Sequence, residues 1–156
     1  MIKLVRVDYR LLHGQIAVTW LAETGADCLL LVSETLRDDP IRMRIMRMAK
    51  PEGVKVVVKD RAGAVEALKS GATDKYKLFV ICETVEDADA VLRATGERDL
   101  DVGNVPLAEG KVSLSRAVAL DEAEADVLRA LVHDGFNPYL QMVPSDKKVA
   151  CADVLQ

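Results

Sequence analysis

Four short, nearly unbroken apolar runs, at residues 4–7, 28–32, 54–58 and 78–82, constrain the fold of this chain more than any other feature. Each reads as a strand, and each is separated from the next by enough chain for a helix. Strands so uniformly apolar are buried on both faces, as in a parallel sheet whose crossovers are helices packed above and below it. The expected fold class is therefore α/β: a single-domain, open, twisted, mostly parallel sheet, doubly wound, with helices on both faces.

The intervening segments carry helix signals. Asp38-Asp39-Pro40 supplies a cap and a first-turn proline for a helix over 41–50, which Pro51 and Gly53 stop. Asp60 caps a helix that ends at Ser70-Gly71, and Thr84 caps another with Asp87 three residues on. The basic run 41–48 reads as a helix that buries Ile41, Ile45 and Met48 and solvates its arginines, the alternative being a docking face for an acidic partner. Further on, residues 101–106 read as a strand end entering a turn. Residues 111–114 read as part of a short hairpin and 117–120 as another strand. Asp121 caps a helix with Ala125, Leu128 and Leu131 on one side, and a final strand around 139–143 is closed by Pro144.

Composition narrows the function classes. A chain of 156 residues, half of them apolar, supports one ordinary core, so residues 1–156 are expected to form a single domain. A net charge of −4 argues against general affinity for nucleic acid or an anionic membrane. No apolar run approaches a membrane span and the N-terminus lacks a signal-peptide layout, so a cytoplasmic location is expected. Cys28, Cys82 and Cys151 have no metal-clip spacing and read as small buried residues. No glycine-rich P-loop is present, and no cofactor or metal is expected.

His13 is one of two histidines, in the run Arg6-Val7-Asp8-Tyr9-Arg10-Leu11-Leu12-His13-Gly14-Gln15. With 4–7 as a central strand and 15–22 as the helix after it, residues 8–14 form the loop beyond the strand's carboxyl end, where open α/β sheets bind ligands. His13 and the main-chain N–H groups of Gly14, Gln15 and Ile16 would border a pocket favoured for an anion by the helix dipole. Gly14 would let a phosphate oxygen come close to the main chain, and Arg10 would offer it a planar fork of donors. Arg6 is a further candidate phosphate donor, and Asp8 would hold Arg10 or the ring, or serve simply as a turn residue. From these residues alone two readings stand: a phosphoryl acceptor, or a hydrogen-bonded loop histidine without chemistry. His133, late in a helix beside Asp134, reads as structural.

The run from Arg6 to Ile16, followed by Trp20, resembles the signature of the IIB component of the mannose/fructose/sorbose family of the bacterial sugar phosphotransferase system. The resemblance continues through Met46-Arg47-Met48-Ala49-Lys50-Pro51-Glu52-Gly53-Val54-Lys55-Val56, Asp101-Val102-Gly103 and Glu109-Gly110-Lys111. It closes with Leu140-Gln141-Met142-Val143-Pro144-Ser145-Asp146. The resemblance implies an open, mostly parallel sheet and a phosphocarrier, an enzyme that transfers phosphate through a phosphohistidine at His13, formed on Nδ1. A phosphorylated IIA protein would be the donor. The acceptor would be a sugar bound only through the membrane components IIC and IID, to whose transporter the protein would be peripheral. Tyr9, Leu11 and Leu12 would form an apolar rim for the partner.

Two departures from the family pattern stand out. A usual second glycine is replaced by Asn104, a residue that can adopt a positive φ but whose side chain intrudes where glycine leaves space, and Lys59-Asp60 stands where Ser or Thr is common. Rival readings are a phosphorylation-state sensor that is not coupled to transport and an α/β protein with an idle motif. A homodimer is compatible with the sequence but carries no signal in it.

Overall fold

The computed structural model of the chain describes residues 1–14 and 16–155. Its strands in chain order are β1 (Ile2–Asp8), β2 (Cys28–Val32), β3 (Lys55–Lys59), β4 (Leu78–Cys82), β5 (Asp99–Asn104), β6 (Val112–Ser113), β7 (Ala119–Leu120), β8 (Asn137–Leu140) and β9 (Val149–Ala150). A seven-stranded sheet has the order β3-β2-β4-β1-β5-β8-β9, and β6 and β7 form a separate antiparallel pair. Every neighbour in the large sheet is parallel except β9, which returns antiparallel along β8. The four apolar runs are thus the strands β1 to β4, and β1 lies in the interior of the sheet. The chain leaves β1 toward β2 on one side, while β4 sends it across to β5 on the other. That divergence opens a crevice at the carboxyl ends of these strands.

The helices are α1 (Leu21–Thr24), α2 (Pro40–Ala49), α3 (Arg61–Lys69), α4 (Val85–Thr95), α5 (Glu122–His133) and α6 (Cys151–Val154). Strand alternation divides the core into two layers. Val5, Val7, Leu30, Val32, Val80, Cys82 and Val102 face α3, α4, α5 and α6 through Ala64, Val91, Leu128 and Cys151. Leu29, Leu31, Phe79 and Ile81 face the other way, onto Leu12, Trp20 and Met46 from the segment around α1 and from α2. Helices therefore cover both faces, as the uniformly apolar strands require.

The caps explain the helix starts. Asp39, Asp60 and Thr84 each accept a main-chain N–H of the first turn that follows, and Asp121 with Glu124 forms a reciprocal capping box. Gly96 and Gly135 end α4 and α5 at positive φ. The tail differs from the sequence expectation. The strand expected over 139–143 already ends at Leu140, and the chain continues into β9 and α6, two short elements with little periodicity to announce them.

The expected register of α2 is corrected. Ile41, Ile45 and Met48 are 75%, 50% and 80% exposed, and the residue that α2 buries is Met46, with Met43 and Ala49 packed beside it. Two apolar lines run along this helix, and its start at Pro40 turns the line through 43, 46 and 49 toward the sheet. Spacing cannot choose between them because both satisfy helical periodicity. Accordingly, Ile45→Gln should change the unfolding free energy by less than about 0.5 kcal/mol, whereas Met46→Ala should cost about 3 kcal/mol. Urea denaturation of the two variants measures both, and equal losses would contradict this register.

Candidate functional site

The loop after β1 is shaped by Asp8. The Leu11 N–H donates to the Asp8 carbonyl at 3.0 Å, closing a tight turn with Tyr9 and Arg10 at its corner. The Asp8 carboxylate reinforces that turn, its Oδ1 accepting the Arg10 N–H at 3.0 Å. Leu11 leaves the turn at φ 57°, in the left-handed region that non-glycine residues rarely adopt. Its side chain and that of Leu12 are fully buried in the layer beneath, and burial of two leucines offsets the backbone cost. The expected rim of Tyr9, Leu11 and Leu12 is thereby reduced to Tyr9, because the two leucines anchor the loop instead of facing out.

Anchoring the leucines places His13 above them. Its side chain is 11% exposed, and its Nε2 lies 3.2 Å from Asp8 Oδ2. A carboxylate only accepts, so Nε2 carries a proton, and in the neutral ring Nδ1 keeps its lone pair. Among the described residues Nδ1 has no hydrogen-bond partner. The His13 carbonyl accepts from the Ala17 N–H at 3.0 Å, so His13 stands at the entrance to a helical segment whose first described part is a π-helical turn, Ile16–Trp20. Gly14 is exposed, and a β-carbon on it would meet nothing within 4 Å. Ile16 is buried beneath the loop, and the expected contribution of Gln15 lies outside the described residues. The exposed side chain of Arg10, three residues before His13, makes no hydrogen bond or ion pair among the described residues, so its guanidinium is available.

Arg6 has a different place from the one expected of a phosphate donor. It is 1% exposed. Its Nη1 donates to Asp101 Oδ2 at 2.6 Å and to the Gln141 carbonyl at 3.0 Å, and its Nη2 faces Asp8 Oδ2 at 3.3 Å. The guanidinium also lies 5.2 Å from the centre of the Trp20 ring. With its charge turned to two buried carboxylates, Arg6 supports the loop from below. Gly103 makes room for it: a β-carbon there would fall inside the guanidinium.

Trp20 and Gln141 complete the support. The indole N–H donates to the Met142 carbonyl at 3.3 Å, while the Gln141 side-chain amide donates to the carbonyls of Pro144 and Asp146. The closing segment after β8 is thus tied to the helix that begins at His13. Asp101, Gly103, Trp20 and Gln141 lie within the resembling runs, but nothing in their spacing announces contact with Arg6.

Of the other sequence candidates, Lys59, Asp60 and His133 stand apart from this arrangement, and Asn104 meets it through its main chain. Asp60 is the cap of α3 and accepts from Gly63 at 2.7 Å, while Lys59 ends β3 at the sheet edge. Asn104 pairs its carbonyl with the Tyr9 N–H at 3.0 Å, and its φ is not positive, so the strand end forms without the glycine. His133 closes α5 with its side chain 89% exposed, against Asp134. Among the described residues, no group of His, Cys, Asp and Glu is placed to hold a metal ion, and no helix is long and apolar enough to cross a membrane.

Burial pushes the Asp101 carboxyl up from 3.8 to about 7, against the pull of Arg6. The folded chain therefore holds a proton that the unfolded chain releases, and this group's contribution to stability falls as pH rises from 3.8 to about 7. Asp101→Asn should flatten the dependence of the urea midpoint on pH across that window, and an unchanged slope would contradict it. Gly103→Ala should cost about 3 kcal/mol by the same assay, through overpacking against the guanidinium.

The model of the family described as PTS system sorbose subfamily IIB component matches residues 2–156. The chain is 30% identical over 154 residues to N-acetylgalactosamine-specific phosphotransferase enzyme IIB component 1 of Escherichia coli, covering 97% of each chain. It is 31% identical over 146 residues to the PTS system sorbose-specific EIIB component of Lacticaseibacillus casei, covering 93% of this chain and 89% of that one. The crystal structure of the IIBSor domain of the sorbose permease from Klebsiella pneumoniae superposes with a TM-score of 0.91 at 28% identity, covering 98% of this chain and 94% of that one. With the family model matching residues 2–156 and relatives at 30% and 31% identity covering nearly all of its length, the chain belongs to the sorbose subfamily of phosphotransferase-system IIB components.

Proposed function

We propose that this protein is a phosphocarrier of a sugar phosphotransferase system and that His13 is its covalent intermediate. The observation that carries this reading is the Asp8 carboxylate on Nε2 of His13, which leaves the Nδ1 lone pair as the nucleophile of a loop beyond the sheet's carboxyl edge.

In the first step the Nδ1 lone pair attacks phosphorus on a phosphohistidine of a IIA protein. The donor's N–P bond breaks, and its electron pair returns to the donor ring. The Nε2–H of His13 goes on donating to Asp8, whose carboxylate stabilises the positive charge that spreads over the phosphorylated imidazole. In the second step a sugar hydroxyl attacks phosphorus and gives up its proton to water, the N–P bond breaks, and its electron pair returns to Nδ1, leaving the ring neutral with Nε2–H still on Asp8. Catalysis of both steps is positioning and charge stabilisation.

Arg10 supplies the cation that the phosphoryl oxygens meet, and the exposed Gly14 lets them approach the first helical turn, with the main-chain N–H group of Ile16 as a further donor. Arg6 acts on phosphate only through Asp8, because it is buried and both of its Nη groups are engaged below the loop. The sugar is held by the membrane components IIC and IID, to which the protein docks peripherally; the match of the family model over residues 2–156 supports one functional unit.

The test is phosphorylation with phosphoenolpyruvate, the general phosphotransferase proteins and a IIA protein, read by intact mass. Wild type should gain one phosphoryl group and His13→Ala none, while Asp8→Asn should be slowed by about a hundredfold. Wild type without phosphate, or His13→Ala with it, would overturn the assignment. Phosphate that is gained but not passed to sugar in the presence of the membrane components would replace transport by a sensing role.

A further inference from the structure

Beneath His13 the charges do not balance. One guanidinium, Arg6, faces two carboxylates, Asp8 and Asp101, all three being almost completely buried. Arg6 divides itself unequally, at 2.6 Å from Asp101 and 3.3 Å from Asp8. The Asp8 oxygen that Arg6 reaches is Oδ2, the same atom that meets His13 Nε2 at 3.2 Å. Arg6 and His13 therefore share one oxygen, while Asp101 holds the other side of the guanidinium.

We propose that Asp101 is a positioning residue for His13: when ionised it draws Arg6 away and leaves Asp8 to hold the imidazole, and on taking up a proton it releases Arg6 to Asp8 and loosens the ring. The proposal rests on the reading of His13 as phosphoryl acceptor and adds a pH-sensitive support to it. Three features of the site favour this exchange. Asp101 Oδ1 has no hydrogen-bond partner among the described residues, so the carboxylate is stabilised mainly from the Arg6 side. Burial raises its tendency to take up a proton, the shift reaching about 7. Gly103 leaves the space in which the guanidinium lies between the two carboxylates, with the Gln141 carbonyl as its further partner. The groups facing Asp101 are Arg6 and Asp8 from β1, the Gln141 main chain after β8, Tyr139 of β8 and Cys151 of α6, whose own protons burial and Asp101 hold more tightly. Arg6 is the one cation among them.

Asn mimics a protonated Asp in size and charge, which gives a test that a merely structural role would not satisfy. Full-length wild type and Asp101→Asn are phosphorylated with phosphoramidate, a small donor that needs no partner protein, from about pH 5.5 to about pH 8.5. The two should react alike at the acid end, and wild type should become about fivefold faster than the variant at the alkaline end. A rate ratio that is constant across pH, at one or at any other value, overturns the proposal.

The second arm needs no variant and no phosphate. In wild type, the Nε2–H fraction of neutral His13, read from ring nitrogen NMR shifts, should rise in step with the Asp101 carboxyl carbon shift; a fraction indifferent to that titration overturns the proposal. If neither protein takes phosphate, the phosphocarrier reading falls while the NMR arm still decides the role of Asp101.

Discussion

The buried guanidinium of Arg6 is the interaction on which the rest of the site depends. A charge taken out of water costs several kcal/mol unless it is met by partners in good geometry, and leaving such a charge unpaired is among the most destabilising changes a core can suffer. Arg6 stands on the central strand of the sheet and requires Asp101 from β5, Asp8 from its own strand, the Gln141 carbonyl beyond β8 and the Trp20 ring from the turn before α1. It thereby binds the loop, the helix after it and the closing segment into one support. Gly103 exists in this arrangement as empty space that the guanidinium fills.

The consequence for chemistry is a division between what is fixed and what is left open. Asp8 spends one oxygen on the turn and shares the other between Arg6 and His13, so a single carboxylate sets both the backbone of the loop and the tautomer of the ring. Leu11 and Leu12 hold the loop down from inside. Above them, Nδ1 of His13 and the Arg10 guanidinium have no partner among the described residues. For the proposed role of His13 this combination is what a carrier needs: a ring whose orientation is fixed in advance and whose open side is unencumbered, so that a phosphoryl group can be received and surrendered with little reorganisation.

Much of the architecture was legible in the sequence because it rests on local rules. Uniformly apolar runs require a covered parallel sheet, and Asp39, Asp60, Thr84 and Asp121 mark helix starts through bonds made within one turn. What escaped was decided by contacts between distant segments. The face of α2 could not be chosen because Ile41, Ile45 and Met48 compete with Met43, Met46 and Ala49 for the same periodicity. The burial of Arg6 depends on Asp101, 95 residues away, and on a main-chain carbonyl 135 residues away, neither of which leaves a trace in spacing. Leu11 looked like a rim residue because nothing local foretells a leucine at φ 57°. The placing of His13 beyond the sheet's carboxyl end followed from strand order and agrees with the structure; the tautomer came only from the geometry of Asp8.

The central claim is that Asp8 commits Nε2 of His13 to a proton and thereby assigns the phosphoryl group to the other nitrogen. It is tested most directly by long-range nitrogen–proton NMR of the phosphorylated protein labelled with nitrogen-15. The account predicts a single phosphohistidine at His13, with phosphorus on Nδ1 and a proton retained on Nε2. Phosphorus on Nε2 of His13, or on either nitrogen of His133, would contradict it.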